Sequence, residues 1–89
     1  MPTIAVFYGI TIRMYFNDHD PAHFHARYGR SNVIVRISDG QIIRGELPPV
    51  ATRIVTEWAL SRRVELVENW RRARAQEQLE RIAGPDGAG

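Results

Sequence analysis

Apolar residues recur at every second position from Ile10 to Phe16. Ile10, Ile12, Met14 and Phe16 alternate with Thr11, Arg13 and Tyr15. A period of two belongs to a strand with one face buried. The alternation returns in Phe24, Ala26 and Tyr28 against His23, His25 and Arg27, and then in Val33, Val35 and Ile37. Residues 4–7 before this stretch and 41–44 after it complete four to five short strands. The interruptions have turn chemistry: Tyr8-Gly9, the Asn/Asp/Pro run at 17–22, and residues 29–32. Asp39-Gly40 between two apolar segments is a hairpin signal. Connections this short join antiparallel neighbours, so the chain predicts a meander.

The pattern changes at Leu47-Pro48-Pro49. Proline suits the first turn of a helix, and from Val50 to Gln78 no glycine or proline intervenes. At about 100° per residue, Val50, Ala51, Ile54, Val55 and Trp58 share one direction, while Val64, Leu66, Val67, Trp70 and Ala73 centre roughly 120° away. One straight helix cannot lay both stripes on a sheet. A break near Ser61-Arg62-Arg63 therefore gives two helices. The expected fold is α+β: an antiparallel meander of four to five strands followed by two C-terminal helices packed on one sheet face. Residues 1–79 form the single domain, and the glycine-rich segment 80–89 is expected to be a flexible tail.

Size and composition narrow the setting. Eighty-nine residues suffice for one domain with its own core. The absence of cysteine excludes disulfides and thiolate metal sites. No apolar run is long enough for a membrane span, and the first residues lack a secretory pattern, so the expected location is the cytoplasm, with no membrane partner. All twelve basic residues are arginine. A GC-rich genome produces that bias, but guanidinium groups also grip phosphate and stack on bases. A net charge of +2 is compatible with an RNA or DNA partner without requiring one.

Chemistry concentrates in one place. All three histidines lie between positions 19 and 25, beside Asp18 and Asp20. Pleat geometry puts Arg13, Tyr15, His23, His25, Arg27 and Arg36 on the sheet face opposite the apolar one. Three readings follow. His19, His23 and His25, with Asp18 or Asp20, form a ligand set for a divalent transition metal. Alternatively, His23 and His25 act as the catalytic acid and base of a metal-independent ribonuclease, in which Arg13, Arg27 or Arg36 stabilises charge and Tyr15 contacts a base. Or the cluster is structural, its side chains capping the turn. No cofactor is required by the second and third readings.

The helical half offers less. Its arginines are interleaved with Glu65, Glu68 and Glu77, the pattern of a solvated, ion-paired surface. Trp58 and Trp70 are core or interface residues, and Trp70 is the candidate partner contact.

Several segments, taken together, resemble the DUF4160 family of small bacterial proteins. They are Met1-Pro2-Thr3-Ile4, Phe7-Tyr8-Gly9-Ile10, Met14-Tyr15-Phe16 and, most specifically, the block Asp18-His19-Asp20-Pro21-Ala22-His23-Phe24-His25-Ala26 with Tyr28-Gly29. Gly45-Glu46-Leu47-Pro48, Glu57-Trp58-Ala59 and Glu68-Asn69-Trp70 follow in order. The resemblance spans residues 1–75. The family pattern has Pro-Pro where this chain has Pro21-Ala22, which removes one fixed φ from the turn and no functional side chain. The resemblance implies a bacterial module of unknown function from toxin–antitoxin-like gene pairs. It implies a small protein partner from a neighbouring gene and a nucleic-acid- or protein-binding role, for which Arg13, Tyr15, Arg27 and Arg36 on the open face, with Trp70, are the expected site; a small enzyme, either the ribonuclease or a metal-dependent hydrolase, is the alternative.

Overall fold

In a computed structural model, which describes residues 2–85, five strands form one sheet in sequence order. They are β1 (Thr3–Phe7), β2 (Ile10–Arg13), β3 (His23–Tyr28), β4 (Ser31–Arg36) and β5 (Ile42–Arg44), each antiparallel to its neighbour. Helices α1 (Pro49–Ser61) and α2 (Arg63–Arg74) follow. The α+β meander with two C-terminal helices is thus the observed fold. The helices part at Arg62, whose φ of −111° and ψ of 21° leave the helical region. Its N–H still reaches the Trp58 carbonyl at 2.9 Å, and its own carbonyl accepts from Leu66 at 2.9 Å. The junction is therefore a sharp bend, as the change of stripe requires. No helix among the described residues is long and apolar enough to cross a membrane.

The core lies between one sheet face and the helices. Ile12, Met14, Phe24 and Val35 meet Val55, Ala59, Leu66 and Ala73, all without exposed surface. Each of the larger side chains contributes about 1.5–3 kcal/mol by leaving water. The Trp58 ring is 4.9 Å from that of Phe7 and 5.8 Å from that of Phe24, so it ties α1 to two strands. A bulge between Thr3 and Ala5 breaks the alternation of β1, and Ile4 and Ala5 are both buried.

The apolar pattern overreaches in places. β2 ends at Arg13, three residues before the alternation does, and Phe16 sits in a turn at 41% exposure. Tyr28, at the far end of β3, is 40% exposed, so neither aromatic joins the core. On the helices the buried residues are Ala51, Val55, Trp58 and Ala59, then Leu66, Asn69, Trp70 and Ala73. Val50, Val64 and Val67 face outward.

The chain beyond residue 79 is held as far as Gly84, where composition predicts flexibility. The Asn69 amide donates to the Glu80 carbonyl at 2.8 Å and accepts from the Glu80 N–H at 2.9 Å. The Ile82 N–H then bonds the Ile4 carbonyl of β1 at 2.8 Å, and its side chain is buried. The Trp58 indole N–H donates to the Ala83 carbonyl at 2.8 Å, and Arg62 to that of Gly84 at 3.1 Å. The remainder of the expected tail, residues 86–89, lies outside the described residues.

Candidate metal centre on the open sheet face

Strand register builds a row across the open face. Thr3 lies opposite Arg13, Arg13 opposite His25, His25 opposite Ile34, and Ile34 opposite Arg44. Directly opposed residues share a face. Their chain neighbours Ile12, Phe24, Ala26, Val33 and Val35 are buried under the helices, so this row points away from them. His23 belongs to the same face, opposite Arg36.

His23 is nonetheless only 5% exposed. β2 pairs no further than Arg13 with His25, and the loop of residues 14–22 occupies the space beside His23. The Trp70 ring, 5.2 Å away, packs on the imidazole from α2. The loop is moored to that helix: the Asn17 N–H donates to the Ala73 carbonyl at 3.3 Å, and Arg74 lies 3.6 Å from Asp20. The open histidine face expected from the pleat is therefore half closed, with His23 underneath and His25 at its margin.

The moored loop aims Asp18 into the histidines. Its Oδ1 accepts the His19 N–H at 3.0 Å and lies 3.1 Å from His19 Nδ1. Its Oδ2 is 2.9 Å from His23 Nε2 and 3.7 Å from His25 Nε2. His23 Nδ1 is 2.7 Å from the Pro21 carbonyl oxygen. A carbonyl only accepts, so Nδ1 carries a hydrogen, and Nε2 is the nitrogen turned toward Asp18 and His25. One ligand atom from each of Asp18, His23 and His25 lies within 4.8 Å of the others.

Two features set the electrostatics. Burial opposes ionisation of Asp18, but the His19 N–H and the His23 imidazole outweigh it and hold the carboxyl below its ordinary value. Burial together with the neighbouring His23 pushes His25 down, against the pull of the Asp18 carboxylate, and so favours the neutral imidazole over the charged one. His25 Nε2 is buried and has no hydrogen-bond partner among the described residues. The 3.7 Å to Asp18 is too long for a hydrogen bond. Tyr15 packs its ring edge-on against His25 at 4.4 Å and fixes the imidazole's plane.

The remaining expected residues disperse. His19, its side chain 89% exposed, stands at the rim on the far oxygen of Asp18. Asp20 is 79% exposed and turns toward Arg74, outside the convergent set. Arg36 is closed on Asp39 by two bonds of 3.0 and 2.6 Å, and Arg27 donates to the Gly29 carbonyl at 3.2 Å. Trp70 is 9% exposed, so it supports His23 and offers little to a partner. His23, with both nitrogens engaged, presents no free one to a substrate.

Three residues not anticipated complete the surroundings. Ile34, Ile43 and Arg44 face the Asp18–His23–His25 group across a groove of about 340 Å³. The period-two pattern of β4 already puts Ile34 opposite His25 in facing sense; β5 is too short to carry such a signal for Ile43 and Arg44. A larger hollow of about 440 Å³ beside Tyr8, Trp58 and Pro85 gathers no comparable set of ligand groups.

A family model described as a domain of unknown function, DUF4160, matches residues 9–71, and the chain belongs to that family. No curated protein and no solved structure matches it.

Proposed function

We propose that this DUF4160 protein is a metal-dependent hydrolase whose centre is a divalent transition-metal ion held by Asp18, His23 and His25. The observation that carries this reading is the buried, unpartnered Nε2 of His25, turned toward an oxygen that His23 also approaches. A purely structural cluster satisfies its buried polar atoms. Here the atoms behind the ligands are satisfied, Asp18 Oδ2 and His23 Nε2 face each other at 2.9 Å, and His25 Nε2 beside them has no partner among the described residues. The Nδ1–H of His23 is spent on a backbone carbonyl and Asp18 Oδ1 on His19, which is how the partners behind a metal site orient its ligands.

Two imidazoles and one carboxylate leave at least one coordination position for water or substrate. When bound, the ion supplies Lewis acidity and makes water acidic enough to attack near neutral pH. In the hydrolysis, the water oxygen joins the electrophilic centre, the ester bond breaks, and the leaving oxygen takes a proton. His19 stands at the rim to deliver that proton. We also assign the chain to a bacterial, cytoplasmic gene pair of toxin–antitoxin type with a small protein partner; the support is the family resemblance of residues 18–26.

The test is metal content and metal-dependent turnover of protein purified without a histidine tag. Zinc, manganese or nickel is expected to bind one per chain and to raise the melting temperature, and His25→Ala is expected to weaken binding at least 100-fold while the fold persists. No stoichiometric binding of any of the three would sink the centre. Binding without turnover of any ester would sink the hydrolase.

A further inference from the structure

The row that carries His25 also carries two arginines, one on each side. Arg13 is on the adjacent strand, and Arg44 two strands away on the other side, beyond Ile34. At about 4.8 Å per strand they stand roughly 14 Å apart. Neither forms an ion pair among the described residues, whereas Arg36 on the same face is closed on Asp39. Arg13 Nε is in addition buried without a hydrogen-bond partner. That spacing is between backbone positions, and the two unneutralised guanidinium groups reach out from opposite sides of the centre. They suit two phosphates of one chain that flank a third, with the Asp18–His23–His25 group at the one between them.

The floor of the groove points to what the phosphates carry. Ile34 and Ile43 form an apolar patch beside Arg44, with Ile43 41% exposed. An apolar platform next to a cation packs against the face of an unpaired base, and the exposed His19 imidazole at the rim offers an aromatic surface for stacking. A duplex hides its base faces and gains nothing from such a platform. We infer that the groove binds single-stranded nucleic acid across the sheet, with Arg13 and Arg44 on backbone phosphates, a base on Ile34 and Ile43, and the intervening phosphodiester at the metal centre. This rests on the proposed centre for the identity of the reacting bond, but the binding half has its own readout.

In the balanced step, one water adds across a phosphodiester. Its oxygen joins phosphorus, the P–O bond to one sugar breaks, and that sugar oxygen leaves with a proton. No oxidant, reductant or further reactant is required.

The experiment is fluorescence anisotropy of a labelled ten-nucleotide single strand, as RNA and as DNA, against full-length protein with and without manganese. Binding of either strand supports the inference if it weakens at least tenfold in Arg44→Ala, with a salt slope reduced by about one. Arg36→Ala, whose guanidinium is already occupied, is expected to change affinity less than twofold. Arg44 is exposed, so an unchanged melting temperature certifies the fold of its variant. Ile43→Ala gives an independent arm and is expected to weaken strand binding by removing apolar surface without adding a charge beside the centre. Equal affinity for duplex, equal affinity for a mononucleotide, or indifference to Arg44→Ala overturns the inference. Manganese binding without strand binding overturns it and spares the centre. Arg44-dependent strand binding that no metal enables to cleave overturns the hydrolase and spares the binding.

Discussion

Two polar residues are buried among the described residues, His23 and Asn69, and they are buried in opposite ways. The Asn69 amide spends its oxygen and nitrogen on the N–H and carbonyl of Glu80, as a strand partner would. Both polar atoms have a partner, and the result is a latch that lays residues 80–84 against α1, α2 and the edge of β1. His23 is also engaged at both nitrogens, but its environment is not closed. The oxygen it meets is also faced by His25, whose own nitrogen is orphaned. On the proposed reading, the difference separates polar burial that stabilises from polar burial that waits for a ligand. The first removes every unmet bond, and the second concentrates unmet capacity on one point.

The comparison breaks most readily at the latch. Removing residues 80–89 takes away the burial of Ile82 and the hydrogen bonds to Asn69, Ile4, Trp58 and Arg62. At about 1.5–3 kcal/mol for the side chain and about 0.5–1.5 kcal/mol per bond, the loss is roughly 5 kcal/mol. That is a large share of the stability of a small domain. Urea unfolding of the shortened chain checks it, and a midpoint equal to that of the whole protein would show the latch to be ornamental.

Asn69→Ala is the next largest effect, at about 3 kcal/mol, because it strands the Glu80 N–H and carbonyl as well as deleting two bonds. Metal affinity is expected to stay within twofold of wild type. The mirror experiment is His25→Ala. Removing an orphaned nitrogen is expected to change the stability of the metal-free protein by less than about 1 kcal/mol, while metal binding is lost. A cost at His25 as large as at Asn69 would show that both regions are structural and would remove the contrast.

Most of the architecture was legible because it depends on period. Alternation announced β2, β3 and β4, and the shift of apolar direction at Ser61–Arg63 announced the bend between helices. The pairing of His23 with His25 on one face also follows from spacing alone. The choice of Asp18 over Asp20 does not. It depends on the path of an aperiodic loop, and that path is set by distant anchors, Ala73 and Arg74 on α2. Arg44 escaped for a different reason. It joins the row through β5, where the pairing with β4 shifts between Ile34 and Val35, and a one-residue shift decides which face a side chain occupies. The latch was hidden by composition. Glycine and alanine suggest a loose end, and neither reveals that an amide eleven residues upstream can hold the backbone.

The smallest effect concerns the surface next to the latch, where ion pairs sit over the hydrogen bonds that close it. Glu68 accepts from Arg71 at 3.0 and 2.9 Å and from Arg72 at 2.9 Å, and Arg72 continues to the Gln78 carbonyl at 3.2 Å and toward Glu80 at 3.6 Å. The Arg71 hydrogen bonds, with help from Arg72, hold the Glu68 carboxyl down to about 2. A carboxyl depressed by folding stabilises the native state above its ordinary value of 4.5 and loses that contribution as the pH falls through about 2. A side chain 43% exposed and screening by salt keep the contribution small. Wild type and Glu68→Gln are therefore expected to differ slightly in melting temperature at pH 6 and to converge by pH 2, the gap narrowing further in high salt. Asp18 and Asp39 are also depressed and make both proteins acid-sensitive, so only the difference between the two curves reports Glu68. Parallel curves across that range would mean that the ion pairs decorate the latch without strengthening it, and that the bidentate Asn69 closure accounts for its stability.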